Sequence, residues 1–175
     1  PIIQNASSTS GFFNVRPDSD GVIRSVPLAL TYDSNVYPSL ALELARMAFE
    51  EERIEIIYDA FGVRLINLGE REIPTDKYGR IAVNFRGPSS TFNYISAVDI
   101  IRGDFKPADI EGKIILIGTS AAGLLDLRIM PYDAVYPGVE VHANVVDNII
   151  AGDFLHIPAA IAPGINITII LILAI

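Results

Sequence analysis

The chain has 175 residues, 21 acidic against 13 basic, which gives a formal net charge of -8 and a pI near 4.6. A nucleic-acid partner is excluded, because phosphate binding needs a Lys/Arg excess on some face, and no basic run appears anywhere. With no cysteine, neither a disulfide framework nor a thiolate metal site can form.

Residues 1–158 suffice for one well-buried core but not comfortably for two. Pro1 in place of an initiator Met, with no leading apolar segment, predicts a fragment of a longer chain. Residues 12–30 read as a hairpin: Phe12, Phe13 and Val15 precede a turn at Pro17, Asp18, Ser19, Asp20 and Gly21, and Val22, Ile23, Val26 and Leu28 follow it. Asp18-x-Asp20-Gly21 resembles half of a calcium loop, but the bidentate Glu six residues after the glycine is absent. Pro38 opens an amphipathic helix with Leu40, Ala41, Leu44, Ala45, Ala48 and Phe49 on one arc and Ser39, Glu43, Arg46 and Glu50 on the other.

Residues 54–68 are rich in β-branched side chains and predict one or two strands, closed at Ile73-Pro74-Thr75-Asp76. Ile81, Val83 and Phe85 alternate with Ala82, Asn84 and Arg86, the period of a strand that Gly87-Pro88 ends. A short helix is expected at 95–102, between Ser96 and Gly103. Residues 113–118, Lys-Ile-Ile-Leu-Ile-Gly, run apolar without alternation, as strands covered on both faces do. After a long loop, a helix at 138–151 stops at Gly152. Its apolar arc holds Val139, Val141, Ala143, Val145, Val146, Ile149 and Ile150, with His142 in the middle, and its polar arc holds Glu140, Asn144, Asp147 and Asn148. This order predicts a layered α/β domain with a mixed sheet flanked by helices. Residues 159–175 are apolar and uncharged, nearly the ~20 residues that a bilayer requires, so they predict the start of a transmembrane helix.

The most suggestive segment for chemistry is Gly118-Thr119-Ser120-Ala121-Ala122-Gly123, at the carboxyl end of the 113–118 strand, where open α/β sheets hold ligands. It is not a Walker loop, and a tight turn leaving the sheet explains the same residues. Gly118-x-Ser120-x-Ala122 is close to a serine-hydrolase elbow, with Asp126 or Asp133 and then His142 in the right chain order. Against that reading, Ala122 stands where the elbow has Gly, and His142 lies on the apolar arc of a helix. His156 is the second and last histidine, and two isolated histidines make no zinc site. Asp126 and Arg128, two residues apart, either pair with each other or bracket a ligand, and Arg86 joins them if its strand is a neighbour. Arg86, Thr119, Ser120, Asp126 and Arg128 are therefore the candidate binding residues, suited to a small polar or anionic molecule. No catalytic residue, metal or cofactor is expected.

Six segments together resemble one family: GFFNVRPDSDGVIRSVP at 11–27, YPSLALE at 37–43, VNFRGP at 83–88, ISA at 95–97, GKIILIGTSA at 112–121 and PGVEVHAN at 137–144. They are similar to the extracellular sensor domains of the CHASE group, second type. The resemblance implies a bacterial receptor whose sensor stands outside the cytoplasmic membrane, follows one span and precedes several others. It further implies a cytoplasmic nucleotide cyclase or protein kinase as output, and a homodimer in the full receptor. Members carry a further part ahead of the Gly11 motif, so the chain is expected to be shortened there. A structural dimerisation module that senses nothing is the remaining alternative.

Overall fold

The computed structural model describes residues 7–119 and 126–155. The turn predicted at 17–21 is present, closed by Gly21 N–H to Asp18 C=O at 2.9 Å and Asp18 N–H to Val22 C=O at 2.9 Å. The arms around it do not pair with each other. Ile23 N–H instead reaches Ile129 C=O, and β1 (Ser25–Pro27) pairs antiparallel with β7 (Arg80–Ala82), Val26 opposite Ile81. Turn chemistry is local, whereas the choice of partner strand is made by packing.

The strands β2 (Ala29–Tyr32) and β3 (Asn35–Pro38) form a hairpin that the sequence pattern did not announce. Its two-residue turn, Asp33-Ser34, has φ of 48° and 63°, the two positive angles that such a turn requires, without the usual glycine. Pro38 closes β3, and Ser39 caps helix α1 (Leu40–Ala48) by accepting from Leu42 N–H at 3.2 Å. Ala41, Leu42 and Ala45 are fully buried on the α1 face turned to the core.

β4 (Ile54–Asp59), β5 (Gly62–Leu68) and β6 (Arg71–Pro74) make an antiparallel meander. Ile66 lies opposite Ile73, and both are fully buried, so one face of this sheet covers the core. Burying each such side chain stabilises the fold by about 1.5–3 kcal/mol. Helix α2 (Ala97–Arg102) follows, with Ser96 before it and Gly103 at its end in the left-handed conformation. A second unforeseen hairpin, β8 (Leu127–Met130) and β9 (Asp133–Pro137), occupies what reads in the sequence as loop. It leads into α3 (Gly138–Ala151), which ends at Gly152 as expected and packs against α1. Val141, Val145, Val146 and Ile149 of α3 complete the core together with Tyr136, Met130 and Leu28.

The α/β class holds, but the described strands form four small antiparallel sheets rather than one mixed sheet. The main departure is the expected buried strand at 113–118. It is irregular, and Ile114, Ile115 and Ile117 are exposed, Ile117 at 93%. An apolar run becomes a buried strand only where other strands supply backbone partners, and among the described residues none pairs with it. The expected transmembrane start at 159–175 lies outside the described residues, among which no helix is long and apolar enough to cross a membrane.

Candidate functional site

Helix α3 organises the polar chemistry of the domain, and of its polar arc only Asp147 is substantially open to solvent. Glu140 is 2% exposed, and Asn144 and Asn148 are fully buried. The reason is the segment that continues β7. From residue 84 to 92 it runs antiparallel along α3, and helix side chains stand in for a neighbouring strand. Asn148 accepts from Asn84 N–H and donates to Asn84 C=O, both at 2.9 Å. One turn earlier, Asn144 accepts from Arg86 N–H at 2.9 Å and donates to the Tyr136 hydroxyl at 2.8 Å. A further turn back, the Glu140 carboxylate accepts from the backbone N–H groups of Ser90, Thr91 and Phe92 and from the Tyr94 hydroxyl. Three successive N–H groups make an anion-binding concavity, here filled from within the protein. Burial, with the Glu140 carboxylate beside it, holds the Tyr94 hydroxyl protonated far above its ordinary range. Burial likewise pushes Tyr136 up to about 12.

The N-terminal end of α3 gathers most of the candidate binding residues. Gly138 N–H donates to Asp126 C=O at 2.8 Å, and the Asp126 carboxylate occupies the space that a Gly138 side chain would need. A negative charge there suits the positive end of the helix dipole. Arg128 pairs with Asp126 at 3.1 Å, and both side chains remain more than a third exposed. Gly118 lies against the Val139 side chain, which brings Thr119 to the same first turn. Ser120 lies outside the described residues. His142, one turn further along α3, is 7% exposed, and its Nδ1 has no hydrogen-bond partner among the described residues. Burial pushes its pKa below the ordinary value, against the opposing pull of the Phe13 backbone and Asp126.

Arg86 belongs elsewhere. Its Nε donates to Asp147, and its two terminal nitrogens fork onto the Asp153 carboxylate, at 2.8 Å from Nη2 to Oδ1. Asp147 lies about 14 Å along α3 from Gly138 at 1.5 Å per residue. The structure thus pairs Asp126 with Arg128, sets Gly118, the residue before Thr119, beside the same first turn, and places Arg86 at the opposite end of the helix. The carboxamide ladder of Asn144 and Asn148 is absent from the candidate residues. Its only trace in the sequence is an Asn spaced four residues from another on a helix flanked by apolar positions.

The family model of the CHASE2 domain matches residues 1–175, and the chain belongs to that family. CHASE2 domains are sensory, non-catalytic modules of signalling receptors, typically extracellular. Neither a comparison with curated proteins nor one with solved structures finds a match.

Proposed function

We propose that this domain is the extracytoplasmic signal input of a bacterial transmembrane receptor, with α3 as the element that relays the signal. Its first turn meets Asp126, the partner of Arg128, and Gly118, the residue before Thr119, and its last turn is followed in sequence by Gly152, Asp153 and then the apolar segment 159–175. That arrangement of one continuous helix between a polar cluster and the apolar tail carries the reading. A small polar or anionic molecule held by Thr119, Ser120, Asp126 and Arg128 would bias the position of α3 between two arrangements. Residues 159–175 then open the span that passes this bias to a cytoplasmic nucleotide cyclase or protein kinase, in a homodimeric receptor.

Three measurements test the proposal. Reporters fused near residue 1 and beyond the completed span should lie on opposite sides of the membrane; both on one side would refute the single span. A thermal-shift screen of the protein with inorganic phosphate, dicarboxylates and amino acids should find a stabilising compound. A ligand at about 100 times its Kd stabilises by about 2.7 kcal/mol, and Arg128→Ala should abolish that stabilisation. A stabilising compound unaffected by Arg128→Ala would move the site away from α3. Ser120 should stay unlabelled by a fluorophosphonate probe, and labelling abolished by His142→Ala would support a hydrolase instead.

A further inference from the structure

The contacts of Arg86 join the last turns of α3 to the chain beyond the helix end. Gly152 turns the chain out of α3 in the left-handed conformation, with φ of 69°. The next residue, Asp153, is gripped by both terminal nitrogens of Arg86, while Asn84 donates to its carboxylate at 3.2 Å. Arg86 Nε simultaneously holds Asp147 inside the helix. One guanidinium therefore ties three elements: the segment continuing β7, the last turns of α3, and the chain just beyond it. Phe154 then packs against the core beside this clamp. The guanidinium beside it holds the Asp153 carboxyl below the ordinary carboxylate range.

The backbone of Arg86 is itself anchored on the buried Asn144, so the clamp has a rigid base. Its tip, in contrast, is half open to water: the Asp147 and Asp153 side chains are 43% and 44% exposed. Ion pairs so exposed add little to global stability. They do fix geometry, since a bidentate fork holds a carboxylate in one plane and one direction.

We infer that Arg86 is a positioning residue that sets the direction in which the chain leaves α3, through its fork onto Asp153, and so couples the domain to whatever follows residue 155. The coupling part of this inference rests on the proposed relay role of α3; the clamp itself does not.

Backbone 15N relaxation on the full chain tests the clamp with two changes that keep a side chain of similar reach, Arg86→Lys and Asp153→Asn. Each should lower the order parameters of the Asp153, Phe154 and Leu155 amides from the rigid-backbone level of about 0.85 to below about 0.6. Those of Val141 to Ile149 should keep their native values, as should the urea midpoint. Unchanged order parameters at 153–155 in both variants would overturn the clamp. If Arg86→Lys unfolds the domain, Asp153→Asn alone decides, because it leaves the Arg86 to Asp147 contact in place. Coupling is read in the full-length receptor as unstimulated cytoplasmic output. Arg86→Lys and Asp153→Asn should shift it in the same direction, while Asp147→Asn, which spares the fork, should not. A looser 153–155 segment with unchanged output would reduce the clamp to a local staple and overturn the coupling. Output that survives deletion of residues 1–155 unchanged would instead refute the sensor reading, leaving the relaxation result standing.

Discussion

Asn148 offers the sharpest perturbation of the seam between α3 and residues 84–92. Its carboxamide is fully buried and satisfies both backbone groups of Asn84 at 2.9 Å. Asn148→Leu keeps the number and branching of side-chain heavy atoms and opens no cavity, but its methyl groups are bulkier than the carboxamide and add some overpacking, and it leaves one N–H and one C=O without partners. Each orphaned buried group costs about 1–3 kcal/mol, which sums to about 2–6 kcal/mol. Asn84 is itself only partly buried, so water can reach one of its groups, and we expect a loss of about 3 kcal/mol. Asn148→Asp separates the two bonds. The introduced carboxylate still accepts from Asn84 N–H, but it repels the carbonyl unless it carries a proton. Its folded pKa must then rise above the unfolded value of about 3.9. A raised folded pKa means that the folded state holds the proton more tightly. The deficit relative to the native protein is therefore largest at high pH and shrinks as pH falls through the folded pKa. Urea unfolding followed by circular dichroism across that range measures both effects. A loss under about 1 kcal/mol for Asn148→Leu, or a deficit in Asn148→Asp that does not shrink on acidification, would refute the reasoning.

Arg128→Ala should leave the fold intact with a change within about 1 kcal/mol, since both side chains of its pair with Asp126 are more than a third exposed; a loss of about 3 kcal/mol or more in urea unfolding would give the pair a structural role instead. The His142 ring should titrate below 6.5 by NMR, because burial disfavours its cation. With a lowered folded pKa, the His142 contribution is fully present above the unfolded value and is lost as pH falls from about 6.5 toward the folded pKa, since only the unfolded chain takes up the proton there. His142→Gln should flatten that slope. Gly118→Ala places a methyl group 2.5 Å from Val139 Cβ and should lower stability by about 1–3 kcal/mol. Val139→Gly in the same chain should recover part of that loss, and a costless Gly118→Ala would mean that this segment does not rest on α3.

Much of the candidate site was legible as residue types, and little of it as geometry. Asp126 and Arg128 pair because a two-residue spacing on strand β8 and its approach puts them side by side, which the sequence reading allowed as one of two outcomes. Arg86 would join them only if its strand adjoined residues 113–118. Its continuation along α3 instead delivers it to Asp147 and Asp153, more than sixty residues away in sequence. No local pattern encodes a partner at that distance.

What was legible in the sequence is what a few neighbouring residues decide among themselves. The turn at Asp18 to Gly21, the Gly103 and Gly152 helix ends, the bounds of α3 and the extended character of residues 54–68 all follow from local φ preferences, caps and side-chain period. Which strand pairs with which, why residues 113–118 are not a buried strand, and why Glu140, Asn144 and Asn148 of α3 face inward depend instead on contacts between distant segments. The physical reason is the same in each case. A backbone N–H or C=O must find a partner once water is removed, and a distant carboxamide or carboxylate serves as well as a strand. Asn144, Asn148 and Glu140 are buried because residues 84–92 need those partners, a requirement that arises only when the two segments meet.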